Sequence, residues 1–408
     1  MSYSMGSLGI VFTAIGGRLF LICNVNKKNN KETSNNQLSN MKKLILVLTL
    51  SISFTFSSHL GAEESFDFPE PISRVYNQIT VGVSPNVELI SIVQTIGQYP
   101  TVFGFLMAQD TSEYKTDVLN HFKPYQQHPA VLMFDRLSLQ PRMLNFSAPS
   151  NIMLYTDKSF RLREDIELDD FVIKRAGGMD SLRVFLDLLR DFALRSSFNQ
   201  FFHEHQDFYS RMVDKTIENL GPINYISELE SFYGVSQNAY NIILVSLYHF
   251  VGYGNSLLCE NKKRELYNTM GPQKVSDNEP FFGDLDYMKY MIRHEFSHPF
   301  INPLTEKYWD YLKEYDQNFD SLPEIARKNI CGDWQECVNE FTIRAITTQL
   351  AFNESEEAGQ QAYEIEKACG VSNLDSLLEC IRYYQMNRDT YTTLESYYLN
   401  IFEVFKQH

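Results

Sequence analysis

Apolar and polar positions alternate along "QITVGVSP" (78–85), a pattern of period two that predicts a strand. The pattern then changes. Val87, Leu89, Ile90, Val93 and Ile96 recur at helical spacing, with Ser84 placed to cap and Pro85 at the first helical position, so a helix follows at once. "AVLMFDRLS" (130–138) reads as a second strand, and residues 155–220 as mainly helical. "NIILVSLYHFVGYG" (241–254) is β-branched and apolar, which predicts a strand with its exit turn at the glycines. From 284 to the end the pattern is again helical.

These elements predict an α+β fold, mostly helical. A small N-terminal sheet lobe and a helical C-terminal lobe, about 63–283 and 284–408, form one domain. No internal repeat or low-complexity linker divides the chain. With 44% hydrophobic residues, 30 Phe and 24 Tyr, the 408 residues can fill a sizeable core.

Ahead of this domain the pattern has a different meaning. From Met41, "MKKLILVLTLSISFTFSSHLGAEES" has two lysines, an apolar run from Leu44 to Phe56, and small residues up to Ala62. This is the form of a secretory signal peptide over 41–62, which implies export to the periplasm or beyond the cell. Residues 1–40 then read as an upstream start artefact; the alternative is an anchor at Leu8–Cys23. The run is short for a spanning helix, so no stable membrane association is expected after cleavage.

Charge narrows the partners. The net charge is −15, and 1–62 holds six basic residues and one acidic one, so the remainder is more acidic still. Nucleic acid and anionic membrane surfaces are poor partners for such a chain. Five cysteines lie beyond residue 62: Cys259, Cys331, Cys337, Cys369 and Cys380. Export permits disulfides, and Cys331/Cys337 and Cys369/Cys380 are near enough for local bridges.

The candidate chemistry lies in "GDLDYMKYMIRHEFSHP" (283–299). Capped by Asp284 or Asp286, it forms a helix with Leu285, Met288, Ile292 and either Phe296 or Glu295 on one stripe. His294-Glu295-Phe296-Ser297-His298 has the spacing H-E-x-x-H. Two histidines at i and i+4 can share one zinc ion, and Glu295 can take a proton from water. In a chain with nine histidines this pattern arises by chance roughly once or twice in a hundred, so context must support it. Pro299 lacks an N–H and biases His298 away from helical geometry, which predicts a break or kink at His298.

A third ligand is expected in "CGDWQECVNEFTIRAITTQLAF" (331–352), a helix with Trp334, Val338, Phe341, Ala345 and Ile346 inward. Glu340 is preferred, Glu336 is the alternative, and Asp333 is third. Arg344, one turn past Glu340, would hold that carboxylate. An oxyanion stabiliser is expected in the tail: Tyr391 first, with Arg388, Tyr383 and Tyr384 as alternatives. "HEH" (203–205) and His249 read as packing residues, since histidines two apart on a helix face different ways. The strand at 241–250 reads equally as a plain core strand or as an edge that accepts a peptide as an added strand.

H-E-F-S-H-x-F-x-N-P followed by N-E-x-x-x-R-A resembles a family of poorly characterised secreted bacterial proteins, regarded as gluzincin-type metallopeptidases. The likeness extends to "VGVSPNVELISIV", "FFHEHQDFY" (201–209) and "GYG" (252–254). It implies a zincin-like fold, Zn²⁺ on His294, His298 and Glu340, Glu295 as the base, and a peptide or protein substrate. Pro299 stands where a small polar residue would be expected. The alternatives are a secreted binding protein with a structural or vestigial zinc, and a zinc hydrolase acting on another substrate. A structural site would need a fourth protein ligand, for which Cys331, Cys337 and Asp333 are the candidates.

Overall fold

Strand β1 (Ile72–Tyr76) turns directly into β2 (Ile79–Val83), and β2 is the strand expected from its alternating pattern. In this computed structural model, residues 13–15, 18–20 and 68–406 are described. Thr13–Ile15 and Arg18–Phe20 pair as an antiparallel hairpin, and the proposed signal segment 41–62 lies outside the described residues. Residues 68–406 belong to one compact unit.

That unit is α+β, predominantly helical, with a mixed six-stranded sheet. The other strands are β3 (Ile166–Glu167), β4 (Ala239–Leu244), β5 (Gly252–Cys259) and β6 (Arg264–Met270). Their order is β1-β2-β4-β6-β5-β3. β2, β4 and β6 run parallel to one another, whereas β5 is antiparallel to β6. β3 covers only Leu258 and Cys259 of β5. Along Gly252–Leu257, β5 therefore has a strand partner on one side alone among the described residues.

Helix α1 (Pro85–Ile96) starts as its sequence predicts, with Ser84 Oγ accepting from Val87 N–H and all five expected apolar positions buried. The segment 130–138 is not a strand. Pro129–Ser138 is a helix, begun by Pro129 and by His128 Nδ1, which accepts from Ala130 N–H. Its buried residues Ala130, Val131, Phe134 and Leu137 recur at three and four, a helical period hidden within a short apolar run. The strand expected over 241–254 ends at Leu244. Residues 245–251 turn, and the expected exit glycines open β5 instead. Between 155 and 220, helices begin only at Asp170, after β3.

From Leu285 onward every described element is helical. No single described helix is long and apolar enough to cross a membrane. The elements that matter for the site are α2 (Leu285–Glu295), α3 (His298–Lys307), α4 (Trp334–Glu354) and α5 (Glu356–Cys369).

Candidate metal centre

Asp284 caps α2 through Tyr287 N–H, and Met288, Ile292 and Phe296 bury the helix against the core. The break lies earlier than Pro299 by itself predicts. α2 ends at Glu295, Phe296 and Ser297 form a tight turn, and α3 starts at His298. Pro299 opens a new helix, a position where a missing N–H costs nothing, rather than ending the old one. The H-E-x-x-H segment thus crosses a helix junction: His294 is in the last turn of α2, and His298 is the first residue of α3.

Both imidazoles nevertheless meet one carboxylate. Glu340 Oε2 lies 3.5 Å from His294 Nε2, and Glu340 Oε1 lies 3.4 Å from His298 Nε2. The three residues can place one ligand atom each within 4.8 Å of one another. Two donors each about 2.1 Å from an ion, at corners of a tetrahedron, stand about 3.4 Å apart. Those separations fit a shared zinc-sized ion.

Protonation fits as well. Burial, with the neighbouring His298 and Arg344, holds the His294 imidazole well below its ordinary range, so it is neutral at pH 7. His298 Nδ1 lies 3.3 Å from Asn302 Oδ1; the tautomer that donates there leaves Nε2 as a lone-pair donor. His294 Nδ1 has no hydrogen-bond partner among the described residues; the Tyr290 ring stacks on this imidazole at 5.5 Å.

Glu295 is buried beside the cluster, with Oε2 3.9 Å from His298 Nε2. Burial pushes its carboxyl up to about 7, the range a general base needs at neutral pH. The Gly254 N–H donates to it. Two glycines of β5 make this approach possible. A Cβ on Gly254 would lie 2.4 Å from the Glu295 carbonyl oxygen, and one on Gly252 would lie 2.8 Å from its Oε1 and closer still to Met291.

Helix α4 supplies Glu340 from a fixed start. Cys331 and Cys337 are joined in a disulfide across its first turn, and Asp333 caps it by accepting from Glu336 N–H at 2.9 Å. Glu336 Oε2 accepts from Gly332 N–H at 2.7 Å. Glu336 and Asp333 are thus engaged in starting the helix, and it is Glu340 that reaches the histidines. Trp334, Val338, Phe341, Ala345 and Ile346 are all buried, as their spacing predicts. Arg344 Nε donates to Glu340 Oε2 at 3.3 Å. Cys259, Cys369 and Cys380 are free thiols, so the second local bridge does not form.

Tyr391 is not brought to this cluster. Its ring packs on Tyr397 at 4.7 Å, where Tyr383 and Tyr384 also stack. Arg388 donates to carbonyls of Ser231, Phe232 and Thr392. The tail folds onto the end of helix Tyr225–Tyr233, with Leu394 N–H donating to Tyr233 O, and this holds the group in packing. His205 bonds Phe201 O and Asp117, and His249 is half-buried in the 245–251 turn; neither joins the triad.

Sequence reasoning missed Tyr290, Asn302, Glu366 and the part played by Gly252 and Gly254. Asn302 had a signal, since it stands four residues after His298 on a helix. Glu366 had only an indirect one: a buried Arg344 needs more than one carboxylate.

No curated protein and no solved structure matches the chain. A family model does match, over residues 79–404, and so spans every strand of the sheet except β1, together with the triad. The chain belongs to the family described as Domain of unknown function (DUF4932).

Proposed function

We propose that the protein is an exported zinc-dependent peptidase of zincin-like, gluzincin type. The observation that carries this reading is the meeting of His294, His298 and Glu340 at ligand–ligand spacing, with buried Glu295 beside them. His294 and His298 would hold Zn²⁺ through Nε2, and Glu340 through its carboxylate. When bound, zinc supplies Lewis acidity, which polarises a carbonyl and makes water more acidic.

The chain's own residues perform the rest. Glu295 takes a proton from the attacking water and passes it to the leaving amine. Gly254 fixes the direction of that carboxylate. The open side of β5 passes next to Glu295, so a peptide added there as a strand would lie along the base. This is the role expected for residues 241–250, moved to the following strand. Tyr391 has no contact that would give it oxyanion stabilisation; that assignment would need movement of the tail.

A purely structural zinc site should have a closed ligand shell. Cys331 and Cys337 are bonded to each other and Asp333 is a helix cap, which favours the catalytic reading over a structural site. The 331–337 disulfide suits an oxidising compartment, in keeping with export through 41–62. A peptide or protein substrate, with no nucleic acid, agrees with the acidic composition.

The test is metal analysis of purified protein together with peptide-library cleavage, using Glu295→Gln as control. Zinc at one equivalent, with cleavage lost in the variant, is the expected result. Full zinc content with no cleavage across a broad library would overturn the peptidase reading.

A further inference from the structure

Arg344 is a largely buried guanidinium, its side chain 16% exposed, with three partners. Nη1 donates to Glu366 Oε2 at 2.8 Å and to the Tyr290 hydroxyl at 3.2 Å, while Nε reaches Glu340 Oε2 at 3.3 Å. Glu366, on α5, has a side chain only 2% exposed. Tyr290, on α2, also stacks on His294 with the two rings 23° apart.

The distances assign unequal roles. A buried cation needs a close counter-charge, and Arg344 has its shortest contact with Glu366 rather than Glu340. Were Glu340 the sole carboxylate partner, the guanidinium would compete with a metal ion for it. With Glu366 meeting most of that charge, Glu340 keeps Oε1 toward His298 and both oxygens within reach of the histidines. Tyr290 ties the same arginine to the other side of the cluster. Among the described residues, His294 Nδ1 has no carboxylate or carbonyl of the kind that commonly orients a ligating histidine, and the stacked Tyr290 ring stands in its place.

We infer that Tyr290 and Glu366 are positioning residues of the metal centre: through Arg344, and through the ring stack on His294, they hold two of its three ligands in binding geometry. This rests on the reading of His294, His298 and Glu340 as a metal site. It adds a dependence of that site on α5, which contributes no ligand.

The experiment is zinc affinity of the full chain by competition with a chromophoric chelator, for wild type, Glu366→Gln, Glu366→Asp and Tyr290→Phe. Melting in EDTA reports the fold of each, and Co²⁺ absorption reports ligand geometry. Glu366→Gln is expected to weaken zinc binding about 10–100-fold and to alter the Co²⁺ bands. Glu366→Asp, which keeps the charge, should recover part of that loss. Tyr290→Phe keeps the stack and loses only the hydroxyl, so its weakening should fall near the lower end of that range.

A merely structural role would lower melting temperature and leave the dissociation constant of the folded protein unchanged. If wild type binds zinc and the folded variants bind it equally well, the inference falls while the site reading stands. If Glu366→Gln does not fold, Tyr290→Phe decides, and wild-type affinity in it overturns the inference. If wild type binds no divalent ion, the site reading falls and this inference falls with it.

Discussion

Two buried glutamates in this protein share a cause and differ in use. Glu295 lies beside the histidines, and Glu88 lies on α1 in the core. Burial pushes both carboxyls up to about 7. Glu88 is bonded to the Tyr114 hydroxyl, which lies 2.8 Å from that of Tyr209, and Glu88 Oε2 has no partner among the described residues. The aromatic residues around it close the cluster, with Phe208 and Phe201 packed on Tyr114. Glu295 instead touches the open edge of β5 and faces His298. A raised carboxyl therefore does not identify a site; access to a strand edge and to ligand atoms does.

The contrast can be broken by substitution. His298→Ala should weaken zinc binding by more than about 100-fold, beyond the loss of an outer partner, as measured by chelator competition. Glu88→Gln should leave zinc affinity unchanged; equal losses in both would erase the distinction. Glu295→Gln should keep zinc, measured by metal analysis, while peptide cleavage falls about 10²–10⁴-fold. Gly254→Ala puts a methyl against the Glu295 carbonyl, so cleavage should drop with a stability loss of about 1–3 kcal/mol.

The Glu88 cluster has its own signature. Its folded value, about 7, is above the ordinary 4.5, so between those values the folded chain binds more protons than the unfolded one. Stability from this group is fully present below pH 4.5, declines as pH rises towards 7, and is flat beyond. The shift corresponds to on the order of 3 kcal/mol at most. Glu88→Gln, followed by denaturant melts, should therefore gain stability at pH 8 relative to wild type and gain little at pH 5. The smallest effect is expected at Tyr391→Phe: cleavage within about twofold of wild type, because its ring packs in the tail.

Much of the site was legible because local rules act at its key positions. Ser84-Pro85 and Asp284 start helices as their residue types require, and the inward face of α4 follows its spacing. Pro299 was harder, since proline marks both the end of one helix and the first turn of another. Only packing shows that His298 begins α3. The 130–138 run misled because a short apolar stretch has no decisive period, and the cap came from a histidine. The choice of Glu340 over Glu336 is tertiary: Glu336 is drawn to Gly332 N–H inside the disulfide loop. Glu366 belongs to another helix, and no local pattern links it to Arg344.

The most direct measurement is anomalous X-ray diffraction at the zinc edge from crystals of the purified, metal-loaded protein. One strong peak is expected about 2.0–2.2 Å from His294 Nε2, His298 Nε2 and a Glu340 carboxylate oxygen, with Glu295 outside the ligand shell. A metal-loaded crystal with no peak there, or with the ion held by Glu336 or Asp333 instead of Glu340, would contradict it.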